Sequence, residues 1–460
     1  MHRINTSGAV QFAHPLTESL ATALFRSDVE LLPQVNEVYE LELAFYESRI
    51  LSDEEIIRNG AYFARVGDRL TRHFLMCSGE PVKLPCHSSS RLRSFFGRNQ
   101  FKTGYGTHGL FPYRGKFHPQ MIKGLMNVMG LKPGDTVLDP MMGSGTVVIE
   151  ATLMGVDSVG IDASPFCCFM TNTKLGALSV PLAPVRAALK ESGAVFDYFS
   201  SVAGSPQAGR KTQQQEMAFS SPDRPPARVE RALRPRLPSG CEERGVYDFL
   251  LLAYLDGAGY AERSTRVHPF EQFHAILERY YFVAEKIQRI IEGTESELGA
   301  ARSMEGDARK LPLEASSVDG IIFSPPYSFA IDYLDNDLFH LRHLGVDVGN
   351  LRERMIGLRG RTLAAKYENY KLDMDSVIRE CARVLRAGKL CAVVVGTNNN
   401  QLGKILGTRP EDVPGIEDLV ADLGAKHGLS LLRKMSRQIT GMANTMRTEY
   451  IVLMQKTQLC

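Results

Sequence analysis

The chain lacks the patterns that would place it at once in several functional classes. Its eight cysteines (77, 86, 167, 168, 241, 381, 391 and 460) include no C-x-x-C pair and no Cys/His spacing of the zinc type. No metal site is expected, and the thiols read as reduced and partly buried. The longest apolar run, Phe249 to Leu255, is far below the roughly 20 residues that cross a bilayer. The first twenty residues have no continuous apolar stretch of the kind a secretory signal needs, so a cytoplasmic protein away from membranes is expected. Net charge is nearly absent: 54 Lys and Arg stand against 52 Asp and Glu, a formal +2. The overall charge names no partner, and only local charge can inform. With 460 residues, 44% hydrophobic and 23% charged, the composition is that of a globular chain, which excludes a disordered, collagen-like or coiled-coil one. The length allows two or three domains.

Organisation follows from changes of pattern. Residues 1–100 read as an N-terminal helical region, with Ser52-Asp53-Glu54-Glu55 as a helix start. Within residues 86–123 there are seven Lys and Arg (Arg91, Arg93, Arg98, Lys102, Arg114, Lys116 and Lys123), no acid, and interleaved aromatics. Such a stretch suits phosphate contact. From about 124 an α/β pattern begins. Met121–Gly130 reads as a helix, Thr136–Asp139 as a buried strand, Thr146–Met154 as a helix and Ser158–Asp162 as a second strand. This βαβ unit implies a parallel sheet. Residues 204–240 are rich in Pro, Ser, Gln and Arg and read as a linker. Residues 246–292 look helical. The α/β pattern returns near 302, with strands at Val318–Phe323, Leu390–Val395 and Arg447–Met454, a helix at Met374–Leu385 and a turn at Arg386–Lys389.

Two segments carry chemistry. In Val137-Leu138-Asp139-Pro140-Met141-Met142-Gly143-Ser144-Gly145-Thr146 a strand empties into a glycine turn and a helix start, a nucleotide-type site at the edge of a parallel sheet. The third glycine of a dinucleotide fingerprint is Val148 here, and no Gly-Lys-Ser/Thr follows, so a pyrophosphate ligand is not indicated. An acid at the strand end suits a cation instead. Asp162, ending the next strand, suits ribose hydroxyls. A sulfonium with a ribose means S-adenosylmethionine.

The second segment is Ser324-Pro325-Pro326-Tyr327, directly after the strand Asp319–Phe323. Two prolines fix the backbone and remove two N–H donors. What remains is a rigid turn of carbonyl acceptors, a hydroxyl and an aromatic plate. Acceptors that bind both hydrogens of an exocyclic base amine push its nitrogen toward a nucleophilic form. The aromatic ring can stack on the base.

These residues resemble the DNA amino-methyltransferases that make N4-methylcytosine or N6-methyladenine. Asp139–Thr146 resembles motif I of that family, and Ser324–Tyr327 its catalytic motif IV, in a Ser form closer to the N4-cytosine enzymes. The segment Thr107–Gln120 resembles motif X, and Gly306-Asp307-Ala308 the loop whose acid contacts adenine. The resemblance covers about 105–175 and 300–456. It implies a Rossmann-like class I methyltransferase: α/β, with a doubly wound, mostly parallel seven-stranded sheet, an N-terminal helical region and a large helical insertion. It implies S-adenosylmethionine as cofactor, held by Lys116, Phe117, His118, Pro119, Asp139, Pro140, Gly143, Ser144, Gly145, Thr146, Asp162, Ala163, Asp307 and Ala308. It implies catalysis at Ser324, Pro325, Pro326 and Tyr327 on double-stranded DNA, with RNA as the alternative substrate and a cognate restriction endonuclease as a candidate partner. The methyltransferase domain then divides into 101–175, with motif X and the cofactor half, and 301–460, the catalytic half.

Asp162 and Asp307 lie 145 positions apart (307 − 162). A compact member of the family has fewer, so residues 176–300 form an insertion, read either as a target-recognition element or as a lid or dimerisation element. Arg352, Arg354, Arg359, Arg361 and Lys366 make a second basic patch, read either as a grip on the target strand or as a polar helix face. Asp332, Asp335 and Asp337 read as solvating a helix that begins near Tyr333. His340 and His343 on that helix lack a third ligand for a metal.

Overall fold

The computed structural model describes residues 23–33, 35, 37–77, 104–113, 115–203, 236–263, 268–326, 333–438 and 448–457. Tyr327, Asp332, Arg114, residues 86–103 of the basic stretch and 204–235 of the linker lie outside the described residues.

The N-terminal region is mixed, not purely helical. Strands β1 (Val29–Leu31), β2 (Phe63–Val66) and β3 (Arg69–Leu70) form a small antiparallel sheet. Strands of two to four residues are too short for alternation to register against the helical period around them. Helices α1 (Val38–Ile50), α2 (Asp53–Asn59) and α3 (Arg72–Cys77) complete this region. The expected start at Ser52 is a capping box: the Ser52 hydroxyl accepts from the Glu55 amide, and the Glu55 carboxylate accepts from the Ser52 amide at 2.8 Å.

The main sheet holds β4 (Thr136–Asp139), β5 (Asp157–Asp162), β6 (Ala301–Glu305), β7 (Val318–Phe323), β8 (Leu385–Gly396), β9 (Leu429–Gln438) and β10 (Thr448–Lys456). Their order is β6-β5-β4-β7-β8-β10-β9. Strands β4 to β8 run parallel, and β10 is antiparallel to both neighbours. This is a Rossmann-like, doubly wound, mostly parallel seven-stranded sheet, the fold expected from the sequence. The central strands are buried on both faces, which explains the unbroken apolar runs Ile321–Phe323 and Cys391–Val395. The Arg386–Lys389 turn sits inside β8 as an irregularity: Val318 pairs with Leu385, yet Gly320 pairs with Leu390.

Helices α4 (Pro119–Val128), α5 (Thr146–Met154) and α6 (Pro165–Gly176) flank the first two strands of the cofactor half. The insertion supplies α7 (Leu182–Lys190), α8 (Ser192–Ala203), α9 (Arg244–Arg263) and α10 (Pro269–Gly293). It shares its core with the sheet-flanking helices. Phe249, Leu252, Phe273, Leu277 and Tyr280 pack in one buried cluster with Tyr105, Phe111, Ile149, Phe166 and Met170. The Tyr280 hydroxyl accepts from the Phe111 amide at 2.8 Å. At Gly259 an added Cβ would lie 2.6 Å from His340 Nε2, so only glycine lets α9 approach this closely. His340 belongs to α11 (Tyr333–His343), which follows the Ser-Pro-Pro turn, and its ring stacks on Phe166 at 4.6 Å. The insertion thus braces the element that follows the turn. Helices α12 (Val348–Arg354), α13 (Leu363–Val384), α14 (Asn399–Leu406) and α15 (Ile416–Lys426) complete the chain. The helix expected at Met374–Leu385 begins earlier, at Leu363, because the Thr362 hydroxyl caps it by accepting from the Ala365 amide at 3.1 Å.

Candidate functional site

The sheet order places the chemistry-bearing residues along one edge. β6, β5, β4 and β7 are successive neighbours. Their carboxyl ends carry, in that order, Asp307, Asp162, Asp139 and Ser324. Three acids on three adjacent strand ends therefore stand beside the Ser-Pro-Pro turn. Asp162 and Asp307 line a half-open cleft with Pro140, Met141, Ala163, Gly306, Ala308 and Pro326, and Arg354, Met355 and Ile356 line it too. A concave lining that is mostly apolar with a few convergent polar groups suits a small ligand or cofactor.

The glycine turn forms the first wall. Gly145 sits at φ 75° as the N-cap of α5, and an added Cβ would lie 2.5 Å from Thr171 Cγ2. Glycine is required there for both conformation and space. The Met142 amide donates to the Ile161 carbonyl at 3.0 Å, stitching the turn to β5. Asp162 locks it further: its carboxylate accepts from the Gly143 amide at 2.9 Å and the Ser164 amide at 2.8 Å. Asp162 therefore does structural duty in addition to facing the cleft. Behind the turn, the buried Lys174 amine donates to the Ser144 carbonyl at 3.3 Å.

Asp139 is fully buried. One of its carboxylate oxygens accepts from the Met141 amide at 3.1 Å, and the other has no hydrogen-bond partner among the described residues. Burial pushes its carboxyl well above the usual range, the Met141 amide opposes this, and Asp162 nearby adds to the rise. Asp162 is pushed up in the same way by burial, against its two amide donors. A buried carboxylate oxygen without a donor is costly. A cationic ligand would remove that cost.

The second wall is built differently. Burial pushes Asp307 up, but the Arg309 guanidinium more than offsets it and holds the carboxyl below its ordinary range. Arg309 grips both oxygens, Nε on Oδ1 at 2.9 Å and Nη2 on Oδ2 at 2.7 Å.

The turn Ser324-Pro325-Pro326 follows β7 without a break. The Ser324 hydroxyl lies 3.5 Å from the Pro325 carbonyl oxygen, so the two expected acceptors are neighbours. Pro326 reaches the cleft.

Of the expected donor-site residues, Pro140, Asp162, Ala163, Asp307 and Ala308 line the cleft, while Asp139, Gly143, Ser144, Gly145 and Thr146 build the turn behind it. Lys116, Phe117, His118 and Pro119 do not line it. The Lys116 amine donates to the His108 carbonyl at 3.0 Å, and burial lowers it to about 8. Phe117 packs on a core cluster below the sheet, His118 is the N-cap of α4 and Pro119 its first residue. From this segment the glycine turn is met by Tyr113, whose ring lies 3.5 Å from the Cβ position of Gly143. His108 instead joins a buried network, with Nε2 at 2.8 Å and the Tyr105 hydroxyl at 2.6 Å from Glu150 Oε1.

Sequence reasoning missed Arg309, Met355 and Ile356, and read Arg354 only as part of a basic patch. Arg309 stands two residues after Asp307, a spacing that could have flagged it. Met355 and Ile356 carry no signal, because they reach the cleft only through the tertiary fold. The basic patch itself is largely paired: Arg352 with Asp335, Arg354 with Glu305 and Arg359 with Asp373.

Comparison with known proteins finds likenesses over parts of the chain. Residues 110–213 match the UPF0020 family model, described as RMKL-like, methyltransferase domain. The type II methyltransferase M.MjaII of Methanocaldococcus jannaschii is 44% identical over 68 residues, 15% of this chain and 13% of that protein. The tRNA (guanine(10)-N2)-dimethyltransferase of Methanothermobacter thermautotrophicus is 46% identical over 52 residues, 11% of this chain and 16% of that protein. The matched stretches thus span about an eighth to a sixth of these relatives. A solved SAM-dependent methyltransferase of Methanosarcina mazei aligns over 71% of this chain and 94% of that chain, with a TM-score of 0.30 and 11% identity. No helix among the described residues is long and apolar enough to cross a membrane. The residues present fit the cofactor: a buried acid without a donor, acids at two further strand ends, and small residues, Ala163 and Ala308, at the cleft. The chain carries a Rossmann-like methyltransferase domain that uses S-adenosylmethionine.

Proposed function

We propose that this chain methylates an exocyclic base amine in double-stranded DNA, with cytosine N4 as the preferred acceptor and adenine N6 as the alternative. One observation carries the reading: Pro326 of the Ser-Pro-Pro turn shares a single cleft with Asp162 and Asp307. Donor site and acceptor site then meet at one point on the sheet edge. When bound, S-adenosylmethionine supplies an electrophilic methyl group: attack by the amine nitrogen forms N–C as the S–C electron pair returns to sulfur, leaving S-adenosylhomocysteine, and one amine proton leaves to solvent.

The chain's own residues position that transfer. Asp139, Gly143, Gly145, Asp162 and Asp307 hold the donor. The Ser324 hydroxyl oxygen and the Pro325 carbonyl accept the two amine hydrogens. Tyr327 stacks on the extruded base. Flipping the base costs a few kcal/mol, recovered in the pocket and in phosphate contacts. Deprotonation follows methylation, because the alkylated, cationic nitrogen is far more acidic than the neutral amine. Ser324 therefore needs no base strength, and positioning supplies much of the rate. The insertion and the basic stretch 86–123 are proposed to contact the nucleic acid, and a cognate endonuclease is a candidate partner.

A second reading, an RNA base methyltransferase, is favoured by one finding: a tRNA methyltransferase shares 46% identity over 52 residues. The test incubates the purified chain and labelled S-adenosylmethionine with unmodified duplex DNA and, separately, with total RNA, then identifies methylated nucleosides by mass. N4-methylcytosine in DNA supports the first reading. N6-methyladenine keeps the mechanism and removes the inference from Ser324. Label confined to RNA replaces the substrate class.

A further inference from the structure

Residues 354–356, at the C-terminal end of α12 and just after it, line the cleft. Met355 and Ile356 pack on buried clusters, and one side chain that the proposed transfer does not use ties the Arg354 carbonyl to Asp307. Arg309 makes four sets of contacts. Its Nε and Nη2 grip both oxygens of Asp307, and its own amide donates to Asp307 Oδ1 at 2.9 Å. Its Nη2 also donates to the Arg354 carbonyl at 2.9 Å. Its Nη1 donates to Asp373 Oδ1 at 3.0 Å, and Asp373 lies buried on α13. Arg359 approaches the same Asp373 oxygen from the other side.

The arrangement has a physical logic. A guanidinium offers five donors in a fixed plane, so one residue can hold a carboxylate bidentately and still reach two further acceptors. A lysine offers a point charge and cannot. Asp307, on the β6 end of the cleft, and the Arg354 carbonyl, from the 354–356 segment that also lines it, are thereby referenced to one rigid group. Asp373 is the anchor that keeps the guanidinium itself in place. Arg354 adds an outer tie, its Nη1 donating to Glu305 Oε1 at 3.0 Å. That pair is solvent-exposed and contributes little. The inner connection, with the Arg309 side chain only 18% exposed, does the holding.

We infer that Arg309 is a positioning residue for S-adenosylmethionine: it presets Asp307 and the 354–356 segment so that the cleft is formed before the cofactor arrives. The inference rests on the donor-site reading above and goes beyond it, because Arg309 acts through Asp307 and Arg354 and not on the reacting atoms. Preorganisation of this kind lowers the ordering cost of binding. It affects affinity for the donor and leaves the transfer step, at the Ser-Pro-Pro turn, largely alone.

The test uses the full-length chain. Binding of S-adenosylmethionine is measured by calorimetry for the wild type, Arg309→Gln, Asp307→Asn and the double variant, and turnover at saturating cofactor is measured beside it. Arg309→Gln is expected to weaken binding by about tenfold or more, the size of one lost charge-assisted hydrogen bond. Its kcat at saturation should stay within about threefold, so the loss falls on KM. In the Asp307→Asn background the same change should add far less, since the two residues act as one unit. Should Arg309→Gln not fold, Arg309→Lys carries the test, with a smaller loss of the same kind. Unchanged affinity in the folded Arg309 variants, or losses that simply multiply in the double variant, overturns the inference. A wild-type chain that does not bind S-adenosylmethionine at all overturns the donor-site reading and this inference with it.

Discussion

The acids on the two sides of the cleft are held in opposite ways. On the glycine-turn side, burial pushes Asp139 and Asp162 up, and one Asp139 oxygen has no donor. On the β6 side, Arg309 holds Asp307 ionised. The first side is assembled from backbone amides and leaves one buried acid oxygen without a donor among the described residues. On the second, Arg309 meets both oxygens of Asp307. The difference shows two ways of placing an acid at a strand end: one by burial against backbone amides, the other by a guanidinium that also fixes a neighbouring carbonyl.

The largest effect expected from breaking this contrast is at Gly145. Gly145→Ala places a Cβ against Thr171 at a φ of 75°. The left-handed conformation and the overlap together should cost about 2–4 kcal/mol of stability. Chemical denaturation would show this as a lower midpoint at an unchanged slope. A change below about 0.5 kcal/mol would mean that the turn is looser than its contacts indicate.

Asp139→Asn sharpens the contrast and should act with the opposite sign in the ligand-free chain. An acid whose folded pKa is raised favours the protonated folded form. Its contribution is fully present below the ordinary carboxylate range and is lost as pH rises through the raised value. At neutral and higher pH the ionised Asp139 is therefore a burden on the free protein. Asp139→Asn should stabilise it by about 1–3 kcal/mol near pH 8, with the gain vanishing toward about pH 4, while weakening S-adenosylmethionine binding. Melting curves across pH check the sign. A variant that is less stable than wild type at every pH would show that Asp139 is satisfied in the free protein.

Glu305→Gln should give the smallest effect. It removes the outer tie to Arg354, a pair with side chains 44% and 43% exposed. A stability change within about 0.5 kcal/mol is expected, and it should shrink further in high salt. A larger loss of cofactor affinity here than in Arg309→Gln would reverse the ranking of inner and outer ties.

How much of this could be read in the sequence differs between the two walls. The glycine-turn wall is contiguous: Asp139, Gly143, Gly145 and Asp162 fall within one βαβ unit, so spacing alone exposes it. The Asp307 wall is assembled from distant segments. Asp307 itself follows a strand and can be found, but Arg354, Met355 and Ile356 reach the cleft only because α11 and α12 fold back over the sheet edge. The sheet shows the same divide. The buried C-terminal halves of β7 and β8, Ile321–Phe323 and Cys391–Val395, announce themselves as apolar runs. Edge strand β9, Leu429–Gln438, is mostly polar, exposes Leu431 and Leu432, and has no pattern that marks it as a strand. Residues 176–300 stand out in the sequence only as a long interval between Asp162 and Asp307, and their shared core with α6 and α11 depends on contacts such as Gly259 on His340, which no local pattern encodes.

The most direct test of the central claim, that both walls close on S-adenosylmethionine, is amide hydrogen exchange with and without the cofactor. Slowed exchange is expected in residues 139–146, 162–164, 306–309 and 354–356 together, with the β1-β2-β3 sheet and β9 unchanged. Protection limited to the glycine turn, with 306–309 and 354–356 exchanging as in the free chain, would contradict it.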